Sequence, residues 1–109
     1  MIGTTHLAAM RVDGHCELVA GVFSIDAEVS RRTADAEFIP PDRVYSSFEQ
    51  MAVAEATRVD GIDAIVIATP PHLHFPVAQA FLDRGIDVIC EKPATRDLAQ
   101  ARAMAELVT

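Results

Sequence analysis

Residues 61–94 read GIDAIVIATPPHLHFPVAQAFLDRGIDVICEKPA, and the fold class turns on them. Two apolar runs, residues 64–68 and 86–90, are short and rich in β-branched residues, and each ends abruptly in a polar or proline-bearing turn. That is the pattern of buried strands. Between them Pro76 suits a first helical turn, Val77, Ala78, Phe81 and Leu82 recur at helical spacing, and Gly85 suits a C-cap. The stretch therefore predicts strand, helix, strand. A single crossover helix makes two such strands parallel and the connection right-handed. Two polar turns, Thr69-Pro70-Pro71-His72-Leu73-His74 and Glu91-Lys92-Pro93, then fall at strand C-terminal ends. Open α/β sheets take their ligands at that edge.

The alternation continues outward. Residues 17–23, ELVAGVF, read as a near-continuous apolar strand, and Asp26 can cap a helix through about Ala36. Pro40-Pro41-Asp42 breaks the chain, leaving Val44-Tyr45 room for a short edge strand. Ser47 and Gln50 have capping-box spacing for a helix to about Arg58, with Phe48, Met51, Ala52 and Glu55 spread around it until Asp60-Gly61 ends it. Thr95 can cap a last helix whose Leu98, Ala101, Met104 and Ala105 form an apolar stripe. At the other end, residues 7–10 can form a helix before Asp13-Gly14. Strands alternating with helices imply an α/β fold with a parallel sheet. The pattern opens on a helix where a strand belongs, so a first strand is expected upstream.

Composition bounds the function. A chain of 109 residues, 50% hydrophobic, makes one domain. Its net charge of -7 and lack of a basic run exclude a nucleic-acid or anionic-membrane surface, either of which needs clustered positive charge. No apolar run approaches the roughly 20 residues of a membrane span, and no positive N-terminal region precedes an apolar core. Cys16 and Cys90 lack C-x-x-C spacing, so two reduced thiols and a cytoplasmic setting are expected.

Lys92 is the sharpest chemical candidate. A lysine at a strand end, between Glu91 and a φ-locking proline, can polarise a substrate oxygen or relay a proton; equally, it could be a surface lysine paired with Glu91. His72 and His74 form an H-x-H that could ligate a metal, but no third ligand stands at a diagnostic spacing, and one histidine capping the helix after Pro76 while the other packs or points to solvent accounts for the pair as well. An acidic residue after the second strand of a dinucleotide fold binds a ribose 2′-hydroxyl, whereas Ser24 with Arg31 and Arg32 suits a 2′-phosphate; the two arginines also read as a solvated helix face. Gly3 gains meaning only as the last glycine of a phosphate-binding G-x-G-x-x-G.

Taken jointly, Ile2-Gly3 with His6, ELVAGVF, Tyr45-Ser46-Ser47-Phe48-Glu49-Gln50-Met51, AIVIATPPHLH and Gly85 leading to VICEKP are similar to the N-terminal domain of the glucose-fructose oxidoreductase and inositol dehydrogenase (Gfo/Idh/MocA) family. The resemblance spans nearly the whole chain. It implies a Rossmann-type doubly wound parallel sheet binding NADP or NAD, and hydride transfer with a sugar, cyclitol or related polyol. By it Lys92 is the catalytic residue facing the nicotinamide and substrate, with Glu91 and Pro93 setting its position. Thr69, Pro70 and His74 line the cofactor crevice, Ser24 lies near the adenosine ribose, and Gly3 belongs to the phosphate loop. No metal is implied, and the intact enzyme is expected to be a homo-oligomer.

Three departures from the family pattern stand out. Pro71 replaces a usual asparagine, the acidic residue after the second strand is replaced in the Phe23-Ser24 region, and the first strand with its two leading glycines has no counterpart. Residues 1–109 are thus expected to be a partial dinucleotide-binding domain, lacking the Gly-rich loop and a C-terminal substrate domain, and inactive alone. In-frame upstream coding DNA would then specify an apolar strand and G-x-G. The alternative of a different class is a non-catalytic nucleotide-binding or interaction module with the same fold.

Overall fold

The structure, a computed structural model, describes Ala9, Val12, Gly14 and residues 16–23 and 26–108. Gly3, Ser24 and, apart from Ala9, the helix expected over residues 7–10 lie outside the described residues. In chain order the described elements are α1 (Ala27–Ala36), α2 (Phe48–Thr57), β1 (Ala64–Ile67), α3 (His74–Leu82), β2 (Asp87–Cys90) and α4 (Leu98–Leu107), with 3-10 turns at Pro41–Arg43 and Pro71–Leu73. The chain divides into two units, Met1–Met51 and Ala52–Thr109.

In the first unit, α1 begins where the sequence places it. Asp26 is extended and its Oδ1 accepts from the amides of Glu28 and Val29 at 2.9 and 3.3 Å, satisfying two donors the first turn leaves open. The helix closes through the amide of Ile39, which donates to the Ala34 carbonyl at 2.9 Å. That reversal puts Phe38 in the left-handed region, φ 59°, with its ring 93% exposed, while Ile39 is buried at 4%. A conformation unfavourable to a side chain by roughly 1–2 kcal/mol is retained where it delivers the next residue to the core.

The strand expected over residues 17–23 is reduced to one parallel bridge. Gly21 pairs with Val44: its amide donates to the Arg43 carbonyl at 3.1 Å and its carbonyl accepts from Tyr45 at 2.9 Å. A strand is a ladder, and an apolar run extends only where a neighbouring backbone answers it. Here Val44, following the 3-10 turn, answers at one residue.

The second unit holds the strand-helix-strand of residues 61–94. β1 and β2 are parallel, with Ala64 opposite Asp87 and Ile67 opposite Cys90. The amide of Glu91 donates to the Ile67 carbonyl at 3.1 Å, carrying the pairing one step past β2. Helical spacing buries Val77, Ala78 and Phe81 on one face of α3, with Ile67 and Ile86 in the same buried set. Leu82, expected with them, is half-buried. Gly85, φ 76°, makes the C-terminal turn: its amide donates to the Leu82 carbonyl and that of Ile86 to the Phe81 carbonyl, both at 3.0 Å. This is the Schellman pairing that the glycine announced.

Two caps differ from expectation. Ser47 Oγ accepts from the Gln50 amide at 3.2 Å, but the Gln50 side chain takes the hydroxyl of Ser46 at 2.7 Å, so the box is half-formed. The last helix is capped by Asp97, whose Oδ1 accepts from Gln100 at 2.8 Å, while Thr95 Oγ1 donates to the Asp97 carbonyl at 2.9 Å. Both side chains can cap, and the carboxylate adds a favourable charge at the helix N-terminus. The inner face of α4 follows the shifted start: Ala101, Met104 and Leu107 are half-buried, whereas Leu98 is exposed at 65% and Ala105 is exposed.

Candidate functional site

The two polar turns stand at the C-terminal ends of the paired strands. The register brings Ile67 beside Cys90, so Ala68 and Thr69 leave the sheet where Glu91 and Lys92 do. Thr69, Pro70, Lys92 and Pro93 are exposed and Glu91 is half-buried. The Lys92–Pro93 bond is cis. Glu91 folds its carboxylate back onto the chain, Oε1 accepting from the Lys92 amide at 3.2 Å. Glu91 thus positions the backbone of Lys92.

His74 lies beneath these turns. It is 1% exposed, with Nδ1 2.6 Å from the Pro93 carbonyl oxygen and Nε2 2.9 Å from the Thr69 carbonyl oxygen. His72, two residues earlier, is exposed in the 3-10 turn. The pair is therefore one packing and one surface histidine. Among the described residues no group of three His, Cys, Asp or Glu side chains could hold a metal ion. Cys90 ends β2 with Sγ donating to the Glu91 carbonyl at 3.4 Å; burial pushes its thiol pKa up, and the Glu91 carboxylate adds to the shift.

In the first unit, the dinucleotide-facing candidates divide. Arg31 is engaged: Nη2 lies 2.6 Å from Glu28 Oε2, a helical i,i+3 pair that raises the guanidinium pKa by hydrogen bond and by charge. Arg32 is exposed. A cavity of about 260 Å³ that sequence reading did not find lies between α1 and residues 39–46, lined by Ser30, Ala34, Ile39, Pro41, Val44 and Tyr45 among others. Among the described residues the buried Ser30 Oγ has no hydrogen-bond partner. A mid-helix serine carries no sequence signal for such an orphan.

The whole sequence, residues 1–109, matches the oxidoreductase family with an NAD-binding Rossmann fold. The chain belongs to that Gfo/Idh/MocA family. It is 38% identical over 93 residues to the oxidoreductase YfiI of Bacillus subtilis, which covers 84% of this chain and 24% of that protein. The crystal structure of an oxidoreductase from Sinorhizobium meliloti superposes with a TM-score of 0.90 at 44% identity, over 97% of this chain and 30% of that one. An inositol dehydrogenase homolog from Azotobacter vinelandii, complexed with NADH and myo-inositol, gives 0.94 at 36% identity over 98% of this chain and 28% of that one. The chain thus spans a quarter to a third of the length of these relatives. The family establishes the α/β Rossmann reading, of which the two parallel strands and the helices are the described part. Among the described residues no helix is long and apolar enough to cross a membrane.

Proposed function

We propose that the chain supplies the cofactor-facing part of an oxidoreductase that moves a hydride between NAD or NADP and a sugar, cyclitol or related polyol. The observation that carries this is the Glu91-Lys92-Pro93 turn, held beside Thr69-Pro70 at the C-terminal edge of a parallel sheet. The relatives support it, the Azotobacter homolog being complexed with NADH and myo-inositol.

A nicotinamide nucleotide suits this edge, because both turns leave exposed side chains at the position where Rossmann sheets take dinucleotides. Thr69, Pro70, Glu91, Lys92 and Pro93 would hold its nicotinamide end, Ser24 its adenosine ribose and Gly3 its pyrophosphate. When bound, the nucleotide supplies or accepts the hydride. Lys92 donates a hydrogen bond to the reacting substrate oxygen and moves a proton at that atom as charge develops there. Glu91, bonded to the Lys92 amide, fixes where the lysine leaves the backbone. NADP is favoured over NAD by the serine and arginines of the first unit, and Arg32 is the better 2′-phosphate partner, since Arg31 is already paired with Glu28. A homo-oligomer in a reducing, cytoplasmic setting belongs to the same proposal, and free Cys16 and Cys90 suit it.

The test is Lys92→Ala in the longest open reading frame that carries this chain, assayed with NAD+ or NADP+ and myo-inositol as probe polyol. Loss of a general acid-base group lowers kcat by roughly 10²–10⁴-fold, and dinucleotide affinity should stay within about threefold. Equal, small changes in both would assign the fold to a non-catalytic binding module instead.

A further inference from the structure

We propose that His74 is the positioning residue for Lys92, a buried strut that sets the height and direction of the Lys92 turn rather than a ligand of the cofactor. The assignment rests on the oxidoreductase reading above. It starts from burial: at 1% exposure the imidazole offers no free edge to a bound molecule. Both ring nitrogens are occupied, and by backbone. One carbonyl belongs to Thr69, on the turn after β1; the other belongs to Pro93, the residue after the lysine. His74 is thus a side chain that reaches both turns of the strand edge.

The stoichiometry of the ring sharpens the link. Carbonyl oxygens only accept, and a neutral imidazole has one N–H to give, so a singly protonated ring hydrogen-bonds one carbonyl and a doubly protonated ring both. Both contacts are of hydrogen-bond length, and the shorter, 2.6 Å against 2.9 Å, is the one to Pro93 on the lysine turn.

Lys92 is then held from both sides. On one side the Glu91 amide is bonded to the Ile67 carbonyl at 3.1 Å and the Lys92 amide to Glu91 Oε1 at 3.2 Å. On the other, Pro93 is bonded to His74. The backbone at Lys92 is fixed, and the exposed side chain alone is left to move. Catalytic geometry is sensitive to displacements of this kind: about 1 Å can cost on the order of 10²-fold in rate.

Two conservative replacements separate the two contacts. The amide nitrogen of asparagine reaches the position of Nδ1 and that of glutamine the position of Nε2, so His74→Asn keeps a donor facing Pro93 and His74→Gln keeps one facing Thr69. In the 109-residue chain, amide order parameters from NMR relaxation are measured at Lys92 and Ala94 without cofactor. His74→Gln is expected to lower them from a rigid value near 0.85 to below about 0.6, with helical circular dichroism unchanged, whereas His74→Asn leaves them rigid. In the longest reading frame that carries the chain, His74→Gln should lower kcat at least tenfold with the KM for the dinucleotide within about twofold, and His74→Asn should restore most of kcat. Equal losses in the two variants, or loss of the helical signal in both, would show that His74 merely holds the fold and would overturn the assignment. The order parameters are read without nucleotide, so they judge the strut independently; failure of the oxidoreductase reading would appear as no turnover in the unmodified protein.

Discussion

Gly61→Ala should be far more damaging than its size suggests. A methyl group built on Gly61 meets the carbonyl oxygen of Glu55 at 2.0 Å, with Glu55 C at 3.1 Å and the Arg58 oxygen at 3.3 Å. All three are backbone atoms, so no side chain can swing aside. To bring the closest contact beyond 3.0 Å, the end of α2 and the loop must part by about 1 Å. Two hydrogen bonds span that gap and are already long: Gly61 N–H to the Arg58 carbonyl at 3.3 Å, and Ile62 N–H to Glu55 Oε1 at 3.2 Å. Opening by about 1 Å breaks both. A neutral backbone bond contributes about 1 kcal/mol and one to a carboxylate about 1.5–3, so the expected loss is about 3 kcal/mol. For a domain near 100 residues that lowers Tm by about 12–24 °C. Gly85→Ala is the control, because its added methyl meets nothing within 4 Å and its only penalty is φ 76°. That left-handed conformation costs about 1–2 kcal/mol, roughly 4–16 °C. Thermal melts followed by far-UV circular dichroism rank the two. If Gly61→Ala melts no lower than Gly85→Ala, close backbone approach is not what this position demands, and the reasoning from the loop geometry fails.

Two further outcomes follow from a half-buried thiol and a buried hydroxyl. Burial, then the Glu91 carboxylate, raises the Cys90 pKa above the ordinary value of 9.0, so the folded chain keeps that proton longer than the unfolded one. The corresponding stability is complete below about pH 9 and is lost as pH rises beyond it. Iodoacetamide labelling read by peptide mass should therefore still accelerate at Cys90 above pH 9, and a rate that has levelled off by then would contradict the shift. Ser30→Ala removes a buried hydroxyl without a partner and gains helix propensity, so it should stabilise the chain by about 1 kcal/mol. A lower Tm would show that the hydroxyl is bonded after all.

What could be read from the residues was local, and what could not was the answer a distant backbone gives. Asp26 and Gly85 were legible because a cap involves only the residues beside it, and the structure places both as expected. Thr95 and Asp97 show the limit of that logic: either can cap, and the competition between them goes to the carboxylate. The run ELVAGVF is apolar enough for a strand, yet its ladder depends on a neighbour that periodicity does not show, and among the described residues only Gly21 finds one. The site divides in the same way. Lys92 could be singled out as a candidate, since a lysine between a glutamate and a proline at a strand end is unusual by type. Which member of the H-x-H pair is buried was not legible, because two residues at that spacing are interchangeable until α3 begins on one of them. Nor was the contact of His74 with Pro93, 19 residues away, since the accepting group is a carbonyl that any residue would supply. Only the histidine end of that link is written in side chains. If His74 is the proposed strut, a substitution at position 74 alters the placement of Lys92 without touching the lysine's own turn.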